Sequence, residues 1–428
     1  MAQDAAFSQP TGKGQRTLQQ FAYNARGQII GVVDGNRNPI SYDVDSWGRI
    51  TGIGFADGVK EGYAYTPGGQ VCRTTDGNGN SVAYRYYGNG NRTVKSGTQA
   101  GPGGITSEMT VGNNALDISY SYDVRGQLLE ERRNGASVCY TYDKAGNRLR
   151  KTDEKGAVLY RFNRKNQLIA EEDNGDKNEF TYDRQGGIVE KRSYAGIRLF
   201  SYNSRHQQTK VETESGNVQE NRYDSESLRF ELLENGRRTG FVYHNGELLH
   251  EEGREEQKSS YHLGMGIDAF QRGQELSYCH RDEQLSMALI TGEQGGIQNS
   301  YQYDAFGVQL EAVEQFHNRI RYTGQQFDNL TEQYYLRARY YNPVLGRFMQ
   351  EDVYQGDGLN LYAYCGNNPV VYYDPSGYEC TQQNDGGTGN DDAKQSTGEK
   401  DPTKVGEFAG DSIEASSRSQ TFNAEERK

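Results

Sequence analysis

An aromatic residue, nearly always tyrosine, returns about every twenty positions through the middle of this chain. The units read YDVRGQLLE from Tyr122, YDKAGNRLR from Tyr142, FNRKNQLIA from Phe162, YDRQGGIVE from Tyr182, YNSRHQQTK from Tyr202, YDSESLRFE from Tyr223 and YHNGELLHE from Tyr243. Their starts are separated by 20, 20, 20, 20, 21 and 20 residues. Looser copies start at Tyr23, Tyr42 and Tyr65, and a late one starts at Tyr303. A fixed period of this length marks a repeat architecture, in which each unit buries its apolar face only against its neighbours.

Each unit reads as strand, turn, strand, turn. In YDKAGN the Asp143 carboxylate can accept hydrogen bonds from the turn backbone. Gly146 supplies the positive φ that closes a type I turn with a bulge, and Gly126, Gly186 and Gly307 hold the same place in their units. The second turn has different chemistry. Asn134-Gly135, Asn174-Gly175 and Asn235-Gly236 favour a type I′ hairpin. Two turns per unit leave strands of about six to eight residues. The tyrosines and the aliphatics after the turn share one face, and Lys, Arg and Glu take the other. The expected fold is therefore all-β: an antiparallel hairpin ribbon that winds as it twists.

Composition sharpens this. Leu, Ile, Val and Phe make up 75 of 428 residues, below the share at which a chain is expected to be disordered. The 32 tyrosines reverse that expectation, because a tyrosine ring buries while its hydroxyl stays at a polar edge. A net charge of -12 argues against general nucleic-acid binding. No segment reads as a signal peptide or a membrane span. Cys72, Cys139, Cys279, Cys365 and Cys380 are scattered and form no CxxC pair, so they read as isolated thiols. His206, His244, His250, His262 and His317 sit at no ligand spacing, and neither a metal nor a cofactor is expected. Cys279, His280 and Asp282 bunch together in YCHRDEQ, but neighbours on a strand face opposite ways, so the segment reads as a linker rather than a site.

The YDxxG pattern at twenty-residue spacing resembles the YD-repeat (Rhs-repeat) family, which includes Rhs polymorphic toxins, the C component of tripartite toxin complexes and, more distantly, teneurins. The resemblance runs over roughly residues 20–378. It is strongest in YYLRARYYNPVLGRF from Tyr334 and DGLNLYAYCGNNPVVYYDPSGY ending at Tyr378, which look like the Rhs-associated core module that closes such arrays. The resemblance implies a hollow β-shell that encloses a variable C-terminal toxin and frees it by self-cleavage. It implies as partners that toxin in cis, an immunity protein and a secretion machinery, and a secreted or cell-surface location for the full-length protein.

Matched residue by residue, the family's self-cleaving module places its two acids at Asp352 and Asp374, its arginine at Arg339, and its cut between Tyr378 and Glu379. Two neighbouring carboxylates can share one proton, one acting as base on a water and the other as acid on the peptide carbonyl. Arginine can hold such a carboxylate by paired hydrogen bonds. Many relatives have Pro where this chain has Val353 and Leu where it has Tyr378; both replacements keep an apolar body. Read without the family, Asp374 in DPSG would start a turn that Gly377 ends, Asp352 would cap a strand, and Arg339 would pair with Glu351. Asp357 is a competing acid, but GDG is a turn signature. If the site acts, it is a single-turnover aspartic autoprotease and the chain has no multiple-turnover activity.

The organisation expected is a loose segment at 1–19, a repeat array at 20–330, the closing module at 331–378, and a variable polar tail at 379–428. A Gly-rich exposed loop is expected at 93–115, and a charged break at 250–258. The tail has 11 acids against 6 bases and only Phe408 and Phe422 as aromatics, too little to fold on its own, so it reads as a truncated toxin start or a linker. The chain starts in mid-array and reads as a fragment or displaced copy of a longer shell. Two other functions compete with the toxin shell. One is a surface adhesion array whose tyrosine rows recognise carbohydrate or protein. The other is a glycosidase, for which no acid pair stands out in the array.

Overall fold

Ten of the turns are tied by the side chain of their own first residue. In the unit at Tyr142, Asp143 Oδ1 accepts from the N–H of Ala145 at 2.8 Å and of Asn147 at 2.9 Å. The Asp143 N–H donates to the Asn147 carbonyl at 2.9 Å, and Gly146, with φ +79°, donates back to the Asp143 carbonyl at 3.1 Å. The same pair of side-chain bonds recurs at Asn24, Asp45, Asp123, Asn163, Asp183, Asn203, Asp224, Asp282 and Asp304. One extra residue is absorbed just before each turn; in this unit the register shifts between Thr141 and Tyr142. Gly126, Gly186 and Gly307 stand at φ +84°, +86° and +87°. The turn geometry outlasts the glycine: Asn166, His206, Ser227 and Leu285 occupy that position with φ between +60° and +67°.

The computed structural model describes residues 4–11, 14–34, 37–56, 58–77, 80–102, 111–253, 258–264, 266–353 and 359–382. Among them there is no α-helix. Twenty-nine strands, from Asp4–Thr11 to Gln309–Glu314, form one antiparallel sheet in which each pairs with its chain neighbours. The first and last strands pair on one side only, so the sheet is an open ribbon.

Between Asp123 and Asn203 the two kinds of turn alternate along the chain and so lie on opposite margins of this ribbon. Asn134-Gly135 (φ +48° and +94°) and Asn174-Gly175 (φ +49° and +95°) form exposed two-residue hairpins. Pairing beside these hairpins lasts only four residues a side, for instance Ala170↔Glu179 to Asp173↔Asp176. Beyond Ala170 and Glu179 the strands part, and the repeat tyrosine fills the wedge. The Tyr182 hydroxyl donates to the Leu168 carbonyl at 3.1 Å, Tyr202 to Ile188 at 2.8 Å, Tyr223 to Gln208 at 2.7 Å and Tyr243 to Arg229 at 3.0 Å. Each accepting residue is the first of the strand that follows the previous YD turn. Tyrosine suits this place because its ring fills the gap while its hydroxyl satisfies a carbonyl that the ladder leaves unpaired, whereas Phe162 brings the ring alone.

Residues 320–353 and 359–374 pack against the YD margin. Tyr335, Tyr340, Leu345 and Met349 cluster with Leu168, Phe180, Ile188 and Val211, while Tyr341, Phe348 and Tyr364 cluster with Phe241, Leu248 and Ile290. Polar bonds fix the seat: Asn367 Nδ2 donates to the Gly146 carbonyl at 2.7 Å, Arg347 Nη2 to Asn166 at 2.6 Å, and Tyr362 OH to Gly186 at 3.0 Å. This segment has its own four-stranded sheet, Gln326–Asp328, Gln333–Leu336, Arg339–Asn342 and Arg347–Phe348.

Three expectations need correction. Residues Asp4–Thr11 and Gly14–Tyr23 are paired strands rather than a loose segment, because Asn24 makes a YD turn whose incoming strand is Gly14–Tyr23. The Gly-rich stretch contains the strands Arg92–Pro102 and Val111–Tyr122, paired over nine positions; a backbone ladder does not need bulky side chains, and 103–110 lie outside the described residues. The HRD element is a further repeat unit rather than a linker: Asp282 Oδ1 binds the N–H groups of Gln284 and Ser286 at 2.8 and 2.9 Å.

Gly146→Val is expected to lower stability by more than ~1 kcal/mol, since a β-branched residue resists positive φ; a Cβ there would also stand 3.1 Å from Gln127 Nε2. Urea unfolding checks it, and an unchanged midpoint contradicts the turn assignment. Tyr202→Phe keeps the ring but strips the Ile188 carbonyl of its donor. It should cost about 1 kcal/mol, read as a lower melting temperature, whereas the same change at exposed Tyr194 should leave the midpoint in place.

Candidate functional site

The segment after the small sheet brings Asp352 and Asp374 to one arginine. Arg339 lies on the third strand of that sheet, buried, with its guanidinium 3.6 Å above the Phe348 ring. Its Nη2 is 2.7 Å from Asp352 Oδ2 and 3.6 Å from Asp374 Oδ2. Its Nε donates to the Gly377 carbonyl and its Nη1 to the Leu361 carbonyl at 3.2 Å. The guanidinium is thus spread over both acids and over the backbone on each side of them. Both carboxylates are buried, Asp374 completely.

Asp374 has two jobs, one for each oxygen. Oδ1 caps the DPSG turn, accepting from Ser376 N–H at 3.0 Å and Gly377 N–H at 2.7 Å. Oδ2 is buried with Arg339 at ion-pair distance and no hydrogen-bond donor. The turn reading and the acid reading of Asp374 therefore describe different atoms of one side chain. Burial pushes its carboxyl up to about 6, against the opposing pull of Arg339 and of the N–H groups of Ser376, Gly377 and Tyr378. A carboxyl so placed can hold or yield a proton near neutrality.

Gly377 fixes the approach. Its φ is +77°, and a Cβ would lie 2.4 Å from the Leu336 carbonyl oxygen and 2.9 Å from the Arg339 nitrogen. A glycine here lets the chain pass against the arginine's own strand. One residue on, Tyr378 is half-exposed and its N–H lies 3.3 Å from Ser376 Oγ. The Tyr378–Glu379 bond follows one peptide unit from these contacts. Glu351 does not pair with Arg339; its carboxylate accepts from the Tyr362 hydroxyl at 3.1 Å. Asp357 lies outside the described residues.

A second buried charge cluster went unread in the sequence. Arg229, fully buried at the start of its strand, grips both oxygens of the equally buried Asp328 and donates to Gln326 at 2.9 Å and to Tyr340 OH at 3.1 Å. Gln219 and Arg319 complete the shell of Asp328 at 2.8 and 3.2 Å. The available signal was Arg229 itself, which stands in SLRFE where sister units carry Leu128, Leu168 or Ile188. The cluster joins the array strand that starts at Arg229 to the small sheet through Asp328, Gln326 and Tyr340. Cys279 and His280 do point apart, Cys279 into the core and His280 to Glu61 and Thr291. Cys365 and Cys380 correct the expectation of isolated thiols: Cys380 packs on the core cluster that holds Cys365, which brings the two thiols close together. Among the described residues no group of His, Cys, Asp and Glu is arranged to hold a metal.

The family model described as Teneurin YD-shell matches residues 103–370. The tRNA3(Ser)-specific nuclease WapA of Bacillus spizizenii is 33% identical over 171 residues, 37% of this chain and 7% of that protein. Double-stranded DNA deaminase toxin A of Burkholderia cenocepacia is 31% identical over 118 residues, 26% of this chain and 8% of that protein. The Tc holotoxin pore of Photorhabdus luminescens shares the fold, with a TM-score of 0.57 at 16% identity over 85% of this chain and 21% of that one. The chain therefore spans a small part of the length of each of these relatives. With well over half of its residues under one family model and the YD turn recurring along its sheet, the chain belongs to the Teneurin YD-shell family.

Proposed function

We propose that this chain is the shell segment of a secreted or surface polymorphic toxin, and that it frees the polypeptide following it by one cut between Tyr378 and Glu379. The observation that carries this reading is the convergence of two buried carboxylates on one Arg339 nitrogen, one peptide unit from that bond. Asp352, ion-paired at 2.7 Å, acts as the base and takes a proton from water. That water adds to the Tyr378 carbonyl carbon while protonated Asp374 gives its proton to the carbonyl oxygen. The adduct collapses with loss of the Glu379 amine, which leaves with a proton. Arg339 touches both acids and draws them to one guanidinium nitrogen. The relatives named as nuclease and deaminase toxins favour an effector downstream of such a shell. An immunity protein and a secretion machinery belong to the same proposal.

The adhesion reading has less behind it. The repeat tyrosines that a sugar would stack on have their hydroxyls spent on Leu168, Ile188, Gln208 and Arg229 carbonyls. Exposed Trp47 and Tyr194 stand singly rather than in a row.

Asp352→Asn and Asp374→Asn are each expected to leave the chain whole with the circular dichroism spectrum of the parent, and Asp352→Asn, which takes a charge from buried Arg339, to lower the melting temperature. Intact-mass spectrometry reads the outcome, and cutting at the same bond in either variant rejects the pair. Gly377→Ala should also block the cut, by pushing the turn off Leu336 and Arg339. The pH dependence follows from Asp374. Its proton is lost as pH rises through about 6, so a step needing protonated Asp374 slows above that point. Uncut chain held in denaturant and refolded by dilution at pH 5 to 8 should show that fall; a rate that climbs through the same range reverses the assigned roles.

A further inference from the structure

The chain turns back on itself directly after the proposed cut. Thr381–Gln382 pairs antiparallel with Tyr372–Tyr373, so Asp374 to Cys380 form the loop of a small hairpin and the Tyr378–Glu379 bond lies within that loop. Two registered pairs, Tyr372↔Gln382 and Tyr373↔Thr381, hold the outgoing strand, and such a short ladder is weak by itself. The thiols of Cys365 and Cys380 meet beside it. Cys365 sits in the short helical turn Cys365–Asn367, buried among Tyr341, Phe348 and Tyr364, and Cys380 packs on this cluster while staying partly open to solvent. One thiol therefore belongs to the shell side of the proposed cut and the other to the released side.

We propose that Cys365 and Cys380 are a redox modification site, whose disulfide spans the Tyr378–Glu379 bond and keeps residues 379–428 attached to the shell after that bond is cut. The oxidant is a low-molecular-weight disulfide. The solvent-facing Cys380 thiolate attacks it, forming a mixed disulfide and expelling one small thiol. The Cys365 thiol loses its proton and attacks the Cys380 sulfur, expelling the second small thiol. Two protein thiols and one small disulfide thus give one protein disulfide and two small thiols; a dithiol reverses the sequence. Burial pushes the Cys365 thiol well up, with Cys380 beside it as the next cause, so the second step is the slow one. The consequence is a two-key release: the cut separates the backbone, and only a reducing compartment separates the pieces.

The part of this that concerns release rests on the proposed cleavage, whereas the cross-link itself does not. The test treats the purified full chain with oxidised glutathione, blocks remaining thiols with N-ethylmaleimide, and compares non-reducing with reducing intact-mass spectra. The cut protein is expected to appear as one species, two hydrogens lighter than the sum of its fragments, and to split completely on adding dithiothreitol. Cys380→Ser should split without reductant, and Cys139→Ser should behave as the parent. Should the chain prove uncut, a loss of two hydrogens mapped to a Cys365–Cys380 peptide upholds the cross-link and rejects the cleavage. Fragments that separate without reductant, a link mapped to another pair, or glutathione left on Cys380 alone would overturn the cross-link.

Discussion

A single side-chain oxygen, bonded to two N–H groups of its own turn, organises this molecule. The Asp or Asn that opens ten of the turns ties the second and fourth residues beyond it, and the positive-φ residue between them closes the loop. Because the turn absorbs one extra residue, the strand that follows has its register fixed to the strand before it. A one-residue slip would exchange the buried and exposed faces of the whole unit. At Tyr182, Tyr202, Tyr223 and Tyr243 the repeat tyrosine then joins its hairpin to the previous one through its hydroxyl. Local turn chemistry and the lateral bond thus set the same register, which is the agreement between levels that lets a repetitive sequence choose one fold.

The closing segment depends on that margin of turns. Asn367, Arg347 and Tyr362 bond to carbonyls the turns present, at Gly146, Asn166 and Gly186. Such carbonyls are available only where chain turns stack in line. The strongest polar contact between segment and array, Arg229 with Asp328, is wholly desolvated, and removing either partner would strand a buried charge. Fixing the small sheet in this way places Arg339, and Arg339 places the two acids. The order of dependence runs from turn to margin, from margin to sheet, and from sheet to site.

Much of the array was legible in the sequence, since period, turn residue and hairpin dipeptide are all local signals. YDKAGN and Asn134-Gly135 state their own φ values. What escaped was the strand Gly14–Tyr23 that leads into the copy read at Tyr23, and the unit of Asp282, with Leu285 where glycine was expected. Their geometry persists because the side-chain bond, rather than the glycine, defines the turn. At the site, Asp352 and Asp374 stood out only through resemblance, and no spacing rule could bring residues 22 apart onto one arginine. Arg229 and Asp328 were illegible for the same reason, their separation of 99 residues being bridged by tertiary packing alone. The meeting of Cys365 and Cys380 required the return strand Thr381–Gln382, two residues long and invisible to any periodicity.

The function proposed for this shell turns on whether the buried acids act on the chain that carries them. The most direct test is the intact mass of the unaltered 428-residue chain, purified at neutral pH under reducing conditions and without acid, because Asp-Pro bonds break in acid and would mimic the cut at Asp374-Pro375. Two masses are expected, one ending at Tyr378 and one beginning at Glu379, which together equal the full chain plus one water. A single mass corresponding to the uncut chain would contradict self-cleavage.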